Sequence, residues 1–211
     1  MSLLPVYSPA FMVSLFASNT IDNSETITCP ANVEAGDLIV LLDRADDGLL
    51  VSKVIPSGFT EIVDTDSGVT LRMVASYKKA IGNEGGSTLT GMNSSGQEGK
   101  MLYVFRPNFK ANYAVADVGG QEASGAPTNQ TITSGSSATK RPVIAFGCFG
   151  VYNGSINNAI LTPSADGSIT ALSAGQLSYR IMGLSPPTDV VASMNDSGEI
   201  NIMQSFYIET S

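Results

Sequence analysis

The sequence predicts an all-β protein, an antiparallel β-sandwich whose chain is internally duplicated. Three observations carry this. The composition is strand-like, with 21 glycines in 211 residues and only 14% charged residues, against about a quarter in an average globular domain. Short apolar or alternating runs are separated by turns rich in Gly, Pro, Asn and Asp. A set of landmarks from the first hundred residues returns in the same order in the second hundred, and no stretch sustains helical periodicity.

Taken in order, Met1 to Pro9 reads as an uncharged N-terminal arm interrupted by Pro5 and Pro9. It lacks the basic start of a secretory signal, and no run approaches the ~20 apolar residues of a membrane span. Folding in a cytoplasm is therefore expected. Val13 to Ser18 reads as the first strand. Leu38 to Leu42, LIVLL, is apolar throughout, the pattern of a strand buried on both faces. Leu71 to Lys78 alternates and places Met73, Ala75 and Tyr77 on one face. Met101 to Phe105, MLYVF, is ended by Arg106-Pro107. In the second half Val143 to Phe146, Leu177 to Met182, Val190 to Met194 and Ile200 to Ile208 have the same character. Turns are expected at Asp46-Asp47-Gly48, Pro56-Ser57-Gly58, Asp66-Ser67-Gly68, Gly82 to Gly86, Asn153-Gly154 and Pro186-Pro187.

The repeat is visible as ordered echoes. Glu25 to Thr28 returns as Gln130 to Thr133, and Leu38 to Leu41 as Val143 to Phe146, both at an offset of 105 residues. Pro56-Ser57 returns as Pro163-Ser164 at 107, Thr70-Leu71 as Gln176-Leu177 at 106, and the loop Met92 to Gly96 as Met194 to Gly198 at 102. Shared turn vocabulary explains one such match but not five in one order, with offsets drifting by only a few residues. A period of this length is too long for a solenoid and implies two similar sets of about five to six strands. The expected organisation is an arm over 1–9 and a single duplicated sandwich over 10–211, with half-repeats at about 12–107 and 112–211. Two small sandwiches are the alternative, and the short link Pro107 to Tyr113 favours close packing of the halves.

Composition excludes several chemistries. Histidine and tryptophan are absent, which removes a His-based catalytic triad and the commonest zinc ligand. It also removes the best stacking platform for sugars. The net charge of −8 opposes nucleic acid and anionic membranes. Two cysteines, Cys29 and Cys148, define no disulfide framework and read as buried thiols. Asp43, Asp46 and Asp47 are expected in one acidic loop, and Asp64 and Asp66 in another. Either loop offers ligands for a hard cation, though neither has a calcium-loop pattern. The same acids could be read as a glycosidase pair, but the sequence indicates no cleft or sugar platform, so solvated turn carboxylates are the favoured reading. Asn93-Ser94-Ser95-Gly96 and Asn195-Asp196-Ser197-Gly198 are polar tips that could meet glycans and are also ordinary turn residues. No catalytic, cofactor or metal residue is assigned. From Pro107 onward 11 residues are charged, against 19 before it, a neutral surface of the kind found at protein interfaces.

One set of motifs goes beyond composition. Ala35-Gly36-Asp37 precedes the buried strand at Leu38, Pro56-Ser57-Gly58-Phe59-Thr60 follows it, and Ser76-Tyr77-Lys78-Lys79-Ala80 is followed by Glu84. This pattern resembles β-sandwich modules of phage virion proteins and of some bacterial surface proteins. The resemblance covers Val13 to Pro107. Phe59 stands where that family more often carries Trp, and the second half lacks both signatures. It implies a jelly-roll-like, non-enzymatic virion component without cofactor: a capsid decoration protein or a head- or neck-associated fibre module. Its partners would be other virion proteins, capsid or portal and tail components. The analogy also implies a homo-oligomer, a trimer being one form. The alternative is a carbohydrate-binding receptor module that takes a host glycan.

Overall fold

The structure is a computed structural model describing residues 12–46, 55–67, 71–92, 97–124, 130–132, 143–152, 155–156, 159–162, 164–172, 174–182, 190–194 and 200–211. The arm Met1 to Pro9, Asp47 and both polar tips, Asn93 to Gly96 and Asn195 to Gly198, lie outside the described residues. Within them every regular element is a strand, and all pairings are antiparallel.

The first half contributes β1 (Val13–Asp22), β2 (Ile27–Thr28), β3 (Leu38–Asp46), β4 (Thr60–Asp66), β5 (Leu71–Lys79), β6 (Thr88–Leu89) and β7 (Gln97–Pro107). The second contributes β8 (Tyr113–Ser124), β9 (Gln130–Ile132), β10 (Val143–Tyr152), β11 (Ala159–Thr162), β12 (Gly167–Ala171), β13 (Gly175–Met182), β14 (Val190–Met194) and β15 (Ile200–Thr210). The strands of the two halves do not interleave. One five-stranded sheet has the order β1-β7-β3-β5-β4, and the other, read from its far edge, is β8-β15-β10-β13-β12. These are the same order twice, strand for equivalent strand. Each half adds a small sheet, β2-β6 in the first and β9-β14-β11 in the second.

Numbered one to eight, the second half's strands run 1-8-3-6-5 in one sheet and 2-7-4 in the other. That is the double Greek key of a jelly roll with its fifth strand moved across to the first sheet. The molecule therefore has four layers. The two five-stranded sheets face each other at the centre, where β1 lies over β12, β3 over β10 and β4 over β8. This reciprocal pattern is that of an isologous dimer, and it relates the halves by a pseudo-twofold axis between β3 and β10.

The middle strands of each central sheet, β3 and β10, are buried on both faces, which explains the unbroken apolar runs. Leu38, Val40 and Leu42 of β3 face the central core with Met101, Tyr103 and Phe105 of β7. From the other half come Ile144, Phe146 and Cys148 of β10, with Phe206 and Ile208 of β15. Ile39, Leu41, Leu102 and Val104 point the opposite way, onto Ile27 and Cys29 under the β2-β6 layer. Val143, Phe149 and Met203 likewise point onto Leu161 and Met194 under the β9-β14-β11 layer. Aromatic rings join the central sheets: Tyr103 and Phe105 meet Tyr179 edge-on at centroid distances of 4.9 and 5.0 Å, and Phe105 meets Phe146 edge-on at 5.7 Å. Such pairs add about 0.5–1.5 kcal/mol each beyond burial.

Two expectations need correction. The offset of 105 set Leu38 on Val143, but Leu38 faces the central core and Val143 the outer one. The inward-facing counterpart is Ile144. A slip of one residue exchanges the faces of a strand, and a strand apolar on both faces carries no pattern to reveal the slip. Met101 and Met203 are on opposite faces for the same reason. Strand β3 also continues through Asp43 to Asp46, so these two acids lie in a strand and not in the expected acidic loop; the rest of the turn expected at Asp46-Asp47-Gly48 lies outside the described residues.

The central sheets approach closely where side chains are absent. A Cβ on Gly99 of β7 would sit 2.8 Å from the Cβ of Ala171 in β12, and neither atom can rotate away. Gly99→Ala should therefore destabilise the protein by about 1–3 kcal/mol through overpacking. In urea unfolding, Ala171→Gly should restore part of that loss when combined with Gly99→Ala, giving a favourable coupling in the double-mutant cycle.

Candidate functional site

The three signatures of the first half, far apart in sequence, meet at one corner. The turn before β3 needs a left-handed residue, supplied by Gly36 at φ 99°. Its backbone is locked by Gly36 N–H to Ala80 O at 2.8 Å and Ala80 N–H to Asp37 O at 2.8 Å. The buried Asp37 carboxylate accepts from Glu34 N–H at 2.8 Å. It also accepts a forked pair from Arg106 at the end of β7, Nε at 3.0 Å and Nη2 at 2.8 Å, the geometry in which Arg and carboxylate bind best. Arg106 further holds Asn32 O at 2.8 Å and Glu34 at 3.0 Å and lies 3.9 Å above the Phe16 ring. The Asp37 hydrogen bond raises the guanidinium pKa further.

Beside this clamp, Lys78 pairs with Glu84 at 2.9 Å, and the Glu84 carboxylate also accepts from the amides of Ile81, Gly82 and Asn83. Burial alone would raise this carboxyl, but the Lys78 and backbone donors outweigh it and hold the pKa at about 2. The Pro56-Ser57-Gly58-Phe59 turn, closed by Phe59 N–H to Pro56 O, brings Gly58 against the Lys78 ammonium. Phe59 packs on the outer core of the first half.

The second half is tied to the same corner. Tyr113 O–H donates to Gly36 O at 2.7 Å and Lys79 Nζ to Asn112 Oδ1 at 3.0 Å. Asn112 and Ser211 exchange backbone hydrogen bonds. Between these ties lies an open cleft of about 500 Å³, within the range of ligand clefts. Its walls are Glu34 to Asp37, the β5 end Lys79 to Ile81, and the link residues Arg106, Pro107, Phe109, Lys110 and Ala111. Both of its carboxylates, Glu34 and Asp37, are engaged with Arg106, so the cleft offers cationic and apolar contacts. A shallower, uncharged hollow of about 160 Å³ lies in the second half around Ile160, Ser164 and Gln176.

Of the acids singled out in the sequence, Asp43, Asp46, Asp64 and Asp66 are not loop carboxylates, because they lie in strands. Asp43 of β3 is buried with Glu98 around Lys100, whose Nζ lies 2.7 Å from Asp43 and 3.2 Å from Glu98. Burial pushes the Glu98 carboxyl up, against the pull of Lys100. Asp46 pairs with Arg44 at 2.8 Å. Asp64 and Asp66 of β4 both hold Arg72 of β5, at 2.6 and 3.7 Å. Among the described residues no group of three His, Cys, Asp or Glu side chains is placed to hold a metal ion. Cys29 and Cys148 are free and buried in different cores, and burial pushes the Cys29 thiol up to about 11.

The cleft residues Glu34, Lys79, Arg106 and Lys110 escaped the sequence reading. Arg106 and Asp37 are 69 positions apart, and no local pattern links them. The one available signal was that the Ala-Gly-Asp and Tyr-Lys-Lys motifs both sit at strand ends. Compared with protein-family models, curated proteins and solved structures, the chain matches none.

Lys100→Met should cost about 3–5 kcal/mol, because two carboxylates are then left buried without a cation. Adding Asp43→Asn and Glu98→Gln should recover much of it, as read from urea midpoints. For Glu84, whose folded pKa lies below the unfolded value, the stabilisation is complete above about pH 4.5 and is lost as pH falls through about 2. Glu84→Gln should thus destabilise the protein by on the order of 2 kcal/mol at neutral pH. The gap to the parent should narrow steadily in unfolding curves taken from pH 4.5 down to 2.

Proposed function

We propose that the protein is a non-enzymatic structural component of a bacteriophage particle, a capsid decoration protein or a head- or neck-associated fibre module, acting by protein–protein binding. It would be made in the host cytoplasm and reside in the virion. Its partners would be capsid or portal and tail proteins together with further copies of itself. The observation that carries this reading is the corner at Asp37 and Arg106. The motifs that resemble virion modules converge there, and their charged groups hold strand ends together, as a rigid scaffold requires. Four stacked layers with doubly buried central sheets supply stiffness suited to a particle surface. The uncharged stretch Met1 to Pro9 has the composition of a segment that docks on a neighbour.

Deletion of Met1 to Pro9 should abolish co-sedimentation with the particle while leaving the melting temperature unchanged. A deletion that leaves particle binding intact, or glycan-array binding by the full chain that survives the deletion, would favour a carbohydrate-receptor module instead.

A further inference from the structure

The geometry points to the cleft between the Gly36 turn and the Pro107–Ala111 link as the binding site for a partner-protein segment carrying a carboxylate beside an apolar side chain. This rests on the reading that the protein acts by binding other proteins.

The first argument is charge. Of the eight cationic side chains among the described residues, Arg44, Arg72, Lys78, Lys100 and Arg106 each hold a carboxylate within 4 Å. Lys79, Lys110 and Arg180 hold none among the described residues, and two of these three line the same cleft. Lys79 donates one hydrogen bond, to the neutral Asn112, and an ammonium has three donors. Lys110 is exposed at the rim.

The second argument is apolar surface. Ile81, on the cleft wall, is 69% exposed, the highest value among the exposed large apolar side chains. Met12, 60% exposed, is hydrogen-bonded through its backbone to Asn108, between two lining residues. Nothing lies within 4 Å of where a Gly36 Cβ would stand, so the cleft is open above the turn.

The third argument selects among anions. The forked guanidinium that would best grip a phosphate is occupied by Asp37, which leaves the two lysine ammoniums, each a point charge without a fork. A single carboxylate matches Lys79 and Lys110, and its apolar neighbour covers Ile81. The chain's own arm, Met1 to Pro9, contains no acid and does not complement the two lysines.

A random peptide library displayed against the full chain tests this. The expected result is a consensus of Asp or Glu next to Leu, Ile, Val or Phe. By fluorescence anisotropy the labelled consensus peptide should bind at least tenfold more weakly to Lys79→Gln/Lys110→Gln and several-fold more weakly to Ile81→Ser. Binding to Arg180→Gln, which removes a positive charge elsewhere, should stay within twofold of the parent. An uncharged consensus, equal binding to the double variant, or equal loss in Arg180→Gln overturns the assignment. So does a consensus selected only after Met1 to Pro9 is deleted, which would give the cleft to the arm. Failure here with particle binding intact removes the cleft assignment alone, whereas failure of particle binding removes the broader reading.

Discussion

The contact between the two five-stranded sheets is the constraint from which the rest of the structure follows. Each sheet has one face pressed on the other sheet and one face covered by a smaller layer, so the central strands have no wet side. That is why Leu38 to Leu42 of β3, Met101 to Phe105 of β7 and Val143 to Val151 of β10 carry no charged residue. It also accounts for the low charge of the chain. The polar groups that do enter the interface are tied across it. Arg44, fully buried, donates to Val151 O at 2.6 Å. Gln204 donates to Met73 O at 2.8 Å and to Thr65, and Tyr103 O–H reaches Leu177 O. Burial pulls the Arg44 pKa down and Asp46 offsets this. Buried donors are costly unless bonded, so these ties also fix how one sheet sits on the other.

The corner at Asp37 solves a second problem, closing a sandwich at the end where its chain crosses to the other half. Asp37 is 2% exposed and Arg106 about a third exposed. A forked ion pair in that setting gains geometry as well as charge, unlike the exposed pair to Glu34, which contributes little. Because Tyr113, Lys79 and the last residue of the chain anchor to the same place, the two halves share it. The cleft is a consequence of this junction, a gap that two jelly rolls leave where their ends meet.

The duplication has kept topology and let surfaces diverge. Both halves repeat one strand order, and among the described residues the outer layer has two strands in the first half and three in the second. The ion-paired clamps described above belong to the first half. The cross-interface ties have drifted too: Gln204 of β15 donates to Met73 O of β5, whereas on the equivalent strands Tyr103 of β7 donates to Leu177 O of β13. Packing around a shared core tolerates such drift as long as volume and pattern are kept.

The sequence alone determined the all-β class, the doubly buried character of Leu38 to Leu42, and the existence and order of the repeat. Each follows from local patterning, which is written in consecutive residues. Val190 to Met194 was legible to the residue, and Phe59 and the Gly36 turn were legible in kind. Only tertiary structure decided which face of each central strand turns inward, because a strand apolar on both sides carries no periodic signal. It alone showed Asp43, Asp64 and Asp66 to be strand residues, since their partners Lys100 and Arg72 lie on neighbouring strands. It alone brought Lys79, Arg106 and Lys110 around one cleft, because which strand ends and links lie together depends on strand order and on how the halves pack, and no stretch of sequence records that.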